Sequence, residues 1–220
     1  MNYFFPYFGK LLIKASIDDD FHSFLDKAYK RAIKKNDLIN DTLVATIEKE
    51  YSFEKNDFVR ITDMLTPYIK DYISILGEKY NSVPRHQTIE EVESIKIVLD
   101  NIWVNIQKSG EYNPIHTHSG DISFVIYQKI DKRIKLEPNN RTSNPNGSIT
   151  FMNSLDKILR PSHSSTIHKI KERLAGNYQY NHMPEDKEIF IFPSNLHHYV
   201  EAFTTKNAER ISIAGNIFIK

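Results

Sequence analysis

"NPIHTHSGDISFVIYQK", residues 113–129, is the stretch on which the fold turns. Two histidines, His116 and His118, stand one residue apart, directly before the nearly continuous apolar run ISFVIYQKI (122–130). β-Branched and aromatic residues crowd that run, which reads as a buried strand. Side chains alternate between faces in an extended chain, so positions 116 and 118 share one side. Two imidazoles on one face are a ready chelate, because neutral imidazole is the commonest metal ligand. Alone, the pair is also what an ordinary surface or core strand end carries. Its meaning depends on the rest of the chain.

The period of two continues on both sides. SIKIVLDNIWVNIQ (94–107) alternates. GSITFMN (147–153), EIFIFP (188–193), HHYVEAF (197–203) and RISIAGNIFIK (210–220) are short runs of the same style, separated by turn formers. EPNNRTSNPNG (137–147) is a loop by composition, and 137–187 as a whole reads as an insertion with some order. The first 94 residues follow a helical period instead. Asp18, Asp19 and Asp20 offer an N-cap, after which Phe21, Phe24, Leu25, Ala28, Tyr29, Ala32 and Ile33 form a stripe. A second stripe, from Ile61 through Leu65, Ile69 and Tyr72 to Leu76, meets a C-cap candidate at Gly77. Pro67 is expected to kink that helix or start a new one. The expected chain is mainly β, with a helical part at 1–94 packed on a β core at 95–220, most simply a sandwich or barrel with helices outside.

Composition narrows the function classes. With 40% hydrophobic and 12% aromatic residues in 220, the chain can bury a sizeable core. A net charge of +1 argues against a nucleic-acid footprint. The absence of cysteine removes disulfides, thiolate metal sites and a cysteine nucleophile, and fits a reducing compartment. None of the seven glycines sits in a phosphate-cradling pattern. Pro6 and Lys10 interrupt the aromatic N-terminus, which is not read as a signal peptide, and no run approaches the roughly 18 apolar residues of a membrane span. A soluble, cytoplasmic protein is expected.

Nine histidines are present. His22 and His86 fall in the helical part and read as surface or packing residues, while His163, His168 and His182 fall in 137–187 without supporting neighbours. A second feature is FIFPSNLHHYVEAF (190–203), where a strand stops at Pro193 and a histidine pair opens the next strand. His197 and His198 point to opposite faces, so one of them can face the core. A third is ERISIAGN (209–216), in which Arg210 and Ser212 share a face opposite Ile211 and Ile213. If the isoleucines pack outward, Arg210 is buried and needs an anion. A protein carboxylate or a small dicarboxylate ligand would each serve.

In combination, H-x-H followed by an apolar strand, then FPSNLHH-V, then ERISIAGNI, resembles the iron(II)/2-oxoglutarate-dependent oxygenases. The likeness is greatest to the prolyl-4-hydroxylase-like oxygenases of T4-like marine phages and bacteria, and it covers roughly residues 100–220. The resemblance implies a double-stranded β-helix, or jelly roll, flanked by helices. It implies an enzyme, a dioxygenase of the hydroxylase type that uses Fe(II), 2-oxoglutarate and O2, converts 2-oxoglutarate to succinate, and acts on a peptidyl (for example prolyl) or small-molecule substrate. It would work in the cytoplasm, the host's if the gene is phage-borne. By the same resemblance His116 is the proximal and His198 the distal metal ligand. Arg210, twelve residues after His198, would bind the far carboxylate of 2-oxoglutarate, assisted by Ser212 and Tyr127.

The sequence departs from the usual two-histidine, one-carboxylate set. His118 stands where the family places a carboxylate. Either His118 is the third ligand, or Asp121 swings in, or two histidines hold the metal with water or an anion; His118 is preferred because the strand already delivers it. Two rival readings remain at this point. One is a cupin-type metal protein, a dioxygenase or isomerase without 2-oxoglutarate, and the other a non-catalytic jelly-roll binding module.

Overall fold

The computed structural model describes residues 9–36, 38–39, 46–79, 92–136, 146–153 and 179–220. Among these residues, ten strands and two long helices follow in order: β1 (Ile13–Ser16), α1 (Asp19–Lys35), β2 (Glu50–Ser52), α2 (Lys55–Lys79), β3 (Ile97–Lys108), β4 (Asn113–His116), β5 (Ile122–Ile130), β6 (Ile149–Met152), β7 (Gln179–His182), β8 (Glu188–Pro193), β9 (His197–Val200) and β10 (Glu209–Ile219). They form a six-stranded sheet, β1-β8-β5-β10-β3-β2, and a four-stranded sheet, β4-β9-β6-β7. Every pairing is antiparallel.

Alternation along the long strands sorts residues into two cores. Val104, Ile106, Ile126, Ile189, Ile191, Ile211 and Ile213 leave the larger sheet on its outer face and pack with Phe21, Leu25, Ile61, Leu65, Ile69 and Tyr72 of the helices. Trp103, Val125, Tyr127, Phe190, Phe192 and Ala214 leave it on the inner face and meet Ile149, Phe151 and Val200 of the smaller sheet. Each such side chain, fully buried, contributes about 1.5–3 kcal/mol. The expected helices form where the stripes lie. Asp18 caps α1, accepting the Phe21 N–H at 2.7 Å, and Asn36 closes it in the left-handed conformation.

The first 94 residues, read as mainly helical, also supply β1 and β2, which extend the larger sheet at both edges. Two expectations are corrected. Helix α2 starts at Lys55, before the stripe, and runs through both Pro67 and Gly77 without a break. Within 137–187, β6 forms on the expected run GSITFMN, but β7, read only as part of an insertion, is also a strand and pairs with β6 in the smaller sheet. His86, His163 and His168 lie outside the described residues, as do the loop at 137–145 and most of 154–187 up to residue 178. His22 is an outer residue, its Nε2 3.0 Å from the Gln128 carbonyl. His182 pairs with Glu188 at 2.6 Å.

Glu50 on β2 carries a consequence for stability. It is 1% exposed, and loss of solvation, reinforced by the nearby Glu111 charge, pushes its carboxyl up from 4.5 to about 7. Below 4.5 both folded and unfolded chains hold the proton. Between 4.5 and 7 the unfolded chain releases it first, so stability falls as pH rises. Glu50→Gln is expected to stabilise the fold at pH 8 by roughly 1–3 kcal/mol and to do little at pH 4. Thermal unfolding at the two pH values checks this, and an equal shift at both would contradict it.

Candidate metal and co-substrate site

The site forms between the two sheets, lined by residues of both. β4 and β9 pair so that His116 stands directly opposite His198. The His116 Nδ1–H donates to the Pro114 carbonyl at 2.7 Å, and the His198 Nδ1–H to the Leu196 carbonyl at 2.9 Å. These bonds fix the tautomers and leave both Nε2 lone pairs facing the interior. His118 lies just past the end of β4, its N–H donating to the Ser194 carbonyl at 2.9 Å. Its Nε2 comes to 3.1 Å from His198 Nε2. One ligand atom from each of the three histidines lies within 4.8 Å of the others, and among the described residues no carboxylate joins them.

Burial keeps the three imidazoles neutral. Desolvation lowers His116, takes His118 down to about 3, and holds His198 well below its usual range. A neutral imidazole is the form that binds a metal. The spacing also suits one, since two nitrogens about 2.1 Å from an ion at roughly a right angle lie about 3 Å apart. The donor set fits a divalent ion of intermediate softness such as iron(II).

The alternative ligand Asp121 is turned away. Its Oδ2 accepts the Ile219 N–H at 2.9 Å, and its backbone N–H donates to the Ile217 carbonyl at 2.8 Å. Gly120 allows the turn between His118 and this anchor. Its φ is +88°, and a Cβ there would sit 2.8 Å from the Ile217 carbonyl oxygen.

Deeper in the same cleft lies Arg210, only 3% exposed. Its Nη1–H donates to the Gly147 carbonyl at 2.8 Å, and its guanidinium sits 5.4 Å from the Tyr127 ring centre. The Arg210 Nε–H and the Tyr127 hydroxyl are both buried without a hydrogen-bond partner. Among the described residues no carboxylate pairs with Arg210. Burial lowers its pKa and pushes the Tyr127 hydroxyl up to about 12. A buried cation without a counter-ion is costly, and its unused donors mark a place for an anion. Ser212 lines the cleft beside them.

The structure thus gathers His116, His118, His198, Tyr127, Arg210 and Ser212 around one cleft and leaves His197 and Asp121 out of it. Among the further lining residues, Trp103, Asn105 and Asn113 were not candidates for the site in the sequence. Trp103, whose ring lies 5.7 Å from that of His118, and Asn105 occupy the inward register of WVNIQ, a signal present in the alternation. Nothing in the sequence singled out Asn113.

A double-stranded β-helix with converging imidazoles and a buried arginine at one end is the frame of a non-haem metal oxygenase. The chain belongs to the family described as "Putative 2OG-Fe(II) oxygenase", whose model matches residues 101–216. It is an iron(II)- and 2-oxoglutarate-dependent dioxygenase, with Fe(II), 2-oxoglutarate and O2 as its cofactor and co-substrates. No curated protein matches the sequence. Solved structures share the fold. One is HygX from Streptomyces hygroscopicus with nickel, 2-oxoglutarate and hygromycin B bound, at a TM-score of 0.53, 10% identity and coverage of 94% of this chain and 82% of that one. A prolyl hydroxylase from Trichoplax adhaerens, in complex with a hypoxia inducible factor peptide fragment, aligns at 0.52 and 12% over 96% and 83%. The viral collagen prolyl hydroxylase of Paramecium Bursaria Chlorella virus-1 aligns at 0.50 and 13% over 94% of each chain. Among the described residues no helix is long and apolar enough to cross a membrane.

Proposed function

We propose that His116, His118 and His198 hold the iron(II), and that Arg210, with Tyr127 and Ser212, holds the far carboxylate of 2-oxoglutarate. One observation carries this reading: three neutral imidazoles and an uncompensated buried guanidinium share a cleft. Iron(II) supplies the redox chemistry by which O2 is activated and 2-oxoglutarate is converted to succinate. The chain's residues do the rest. The Pro114 and Leu196 carbonyls hold the His116 and His198 tautomers that expose Nε2. Arg210 supplies donors in a planar fork suited to a carboxylate, and Tyr127 a hydroxyl that stays protonated at physiological pH. Phe192, Val125 and Ile149 wall the cleft with apolar surface and exclude water.

The substrate proposed is a peptidyl side chain, for example prolyl, or a small molecule, and the reaction a hydroxylation. The cytoplasm is the proposed compartment, supported by the absence of cysteine. A phage origin is proposed on the motif resemblance alone. The division into a helical part at 1–94 and an oxygenase core at 95–220 is likewise proposed, with the helices as the outer cover of the larger sheet.

Conversion of 2-oxoglutarate to succinate, assayed with and without added iron(II), tests the reading. Turnover independent of iron, or none, rejects it. Metal binding has its own reporter, because Trp103 is the only tryptophan. Titration with Co(II) is expected to quench its fluorescence, saturating at one equivalent, and His118→Ala is expected to weaken that response. Undiminished quenching in the variant would remove His118 from the ligand set.

A further inference from the structure

The proposed iron and 2-oxoglutarate contacts leave one side of the cleft unused. Asn105 on β3 is 8% exposed, and its Oδ1 is buried without a hydrogen-bond partner. Asn113, the first residue of β4, has a buried Oδ1 in the same condition. Both line the cleft with His116 and His118, and they reach it from opposite sheets. Register places Asn105 in a row across the larger sheet: Glu50 on β2, Asn105 on β3, Ser212 on β10 and Tyr127 on β5. The row therefore runs from the proposed co-substrate end to a pair of acceptor side chains.

An amide oxygen buried without a donor is a cost that folding does not recover, and native proteins keep few of them. Two in one cleft, beside the metal ligands, are explained if a ligand brings the donors. Asn105 stands opposite Glu50 of β2 in the register, and its Oδ1 is the amide atom buried without a partner.

Resting on the oxygenase reading of the histidines and Arg210, we infer that Asn105 and Asn113 form the wall that receives the primary substrate, and that this substrate presents N–H donors, as an amide or an amine does. A site built to pair with N–H groups rejects an analogue of the same shape that lacks them, because its own polar atoms are then left unpaired.

The test measures succinate formed from 2-oxoglutarate by the full chain loaded with iron(II), with three pools as the added substrate. One holds N-acetyl amino acid N-methylamides. The second holds the matching O-acetyl hydroxy acid methyl esters, which have the same shape and no N–H. The third holds primary alkylamines. The amide or the amine pool is expected to raise succinate formation at least about tenfold more than the ester pool, and which of the two responds identifies the donor. Asn105→Leu and Asn113→Leu are expected to raise the half-saturating concentration of the active pool by about tenfold or more, with that of 2-oxoglutarate moving less than about twofold. The near-isosteric Asn105→Asp guards against misfolding and is expected to shift preference toward the amines. Equal stimulation by esters, no stimulation by any pool, or a change confined to 2-oxoglutarate saturation overturns the inference. Absence of succinate under every condition, the unstimulated one included, instead rejects the oxygenase site beneath it.

Discussion

His198→Ala is expected to strip the protein of iron. His198 is the most deeply buried of the three histidines, and its Nε2 is the atom nearest to His118. Its Nδ1 is committed to the Leu196 carbonyl, so the ring cannot turn its other nitrogen inward without breaking that bond. Disturbing a partner that merely orients a ligand costs about 10–100-fold in metal affinity, and removing the ligand itself should cost at least about 100-fold. Metal content after dialysis and the Co(II) quenching of Trp103 both read this loss, and succinate formation should vanish with it. His198→Gln, closer in size, separates lost ligation from a cavity in the core. Iron retained at parental affinity in both variants would remove His198 from the site.

Arg210→Ala should have the opposite signature. Two hydrogen bonds from a guanidinium to a carboxylate are worth roughly 1.5–3 kcal/mol each, so losing them weakens 2-oxoglutarate binding by about 100-fold or more. Iron binding should change little, since Arg210 is not among the clustered ligand atoms. Arg210→Lys keeps the charge and loses the planar fork, and an intermediate defect is expected. The half-saturating 2-oxoglutarate concentration, set beside metal content, decides the matter. Loss of both together, or of neither, would contradict the role given to Arg210.

The larger elements were legible in the sequence because their patterns are long. Eleven residues of β10 let alternation send Ile211 and Ile213 outward and Arg210 and Ser212 inward. Seventeen residues of α1 carry nearly five turns of stripe behind an aspartate cap. β1 and β2 have four and three residues, too few for any period to declare itself, and their place at the sheet edges is a tertiary fact. The histidines were legible as types and spacings, but their convergence depends on the pairing of β4 with β9, which sets His116 opposite His198. The fate of Asp121 was not legible at all. Whether a carboxylate beside Gly120 turns toward the histidines or toward the Ile219 N–H is settled by the end of β10, a hundred residues downstream.

The turn from Pro193 to Leu196 binds both ends of the histidine cluster. Its Ser194 carbonyl takes the His118 N–H, and its Leu196 carbonyl takes the His198 ring. The Ser194 hydroxyl meets the Ser123 hydroxyl at 2.8 Å, and that hydroxyl donates to Asn216 at 2.8 Å, so the turn is anchored to β5 and β10. β4, by contrast, is a four-residue strand with an irregular register, and among the described residues β9 is its one neighbour in the sheet. An ion shared by His116 and His198 would act as a clasp across that weak seam. Loading and unloading the ion then doubles as fastening and unfastening the rim of the smaller sheet, and cleavage near β4 by a protease should report how much of the protein is charged with metal.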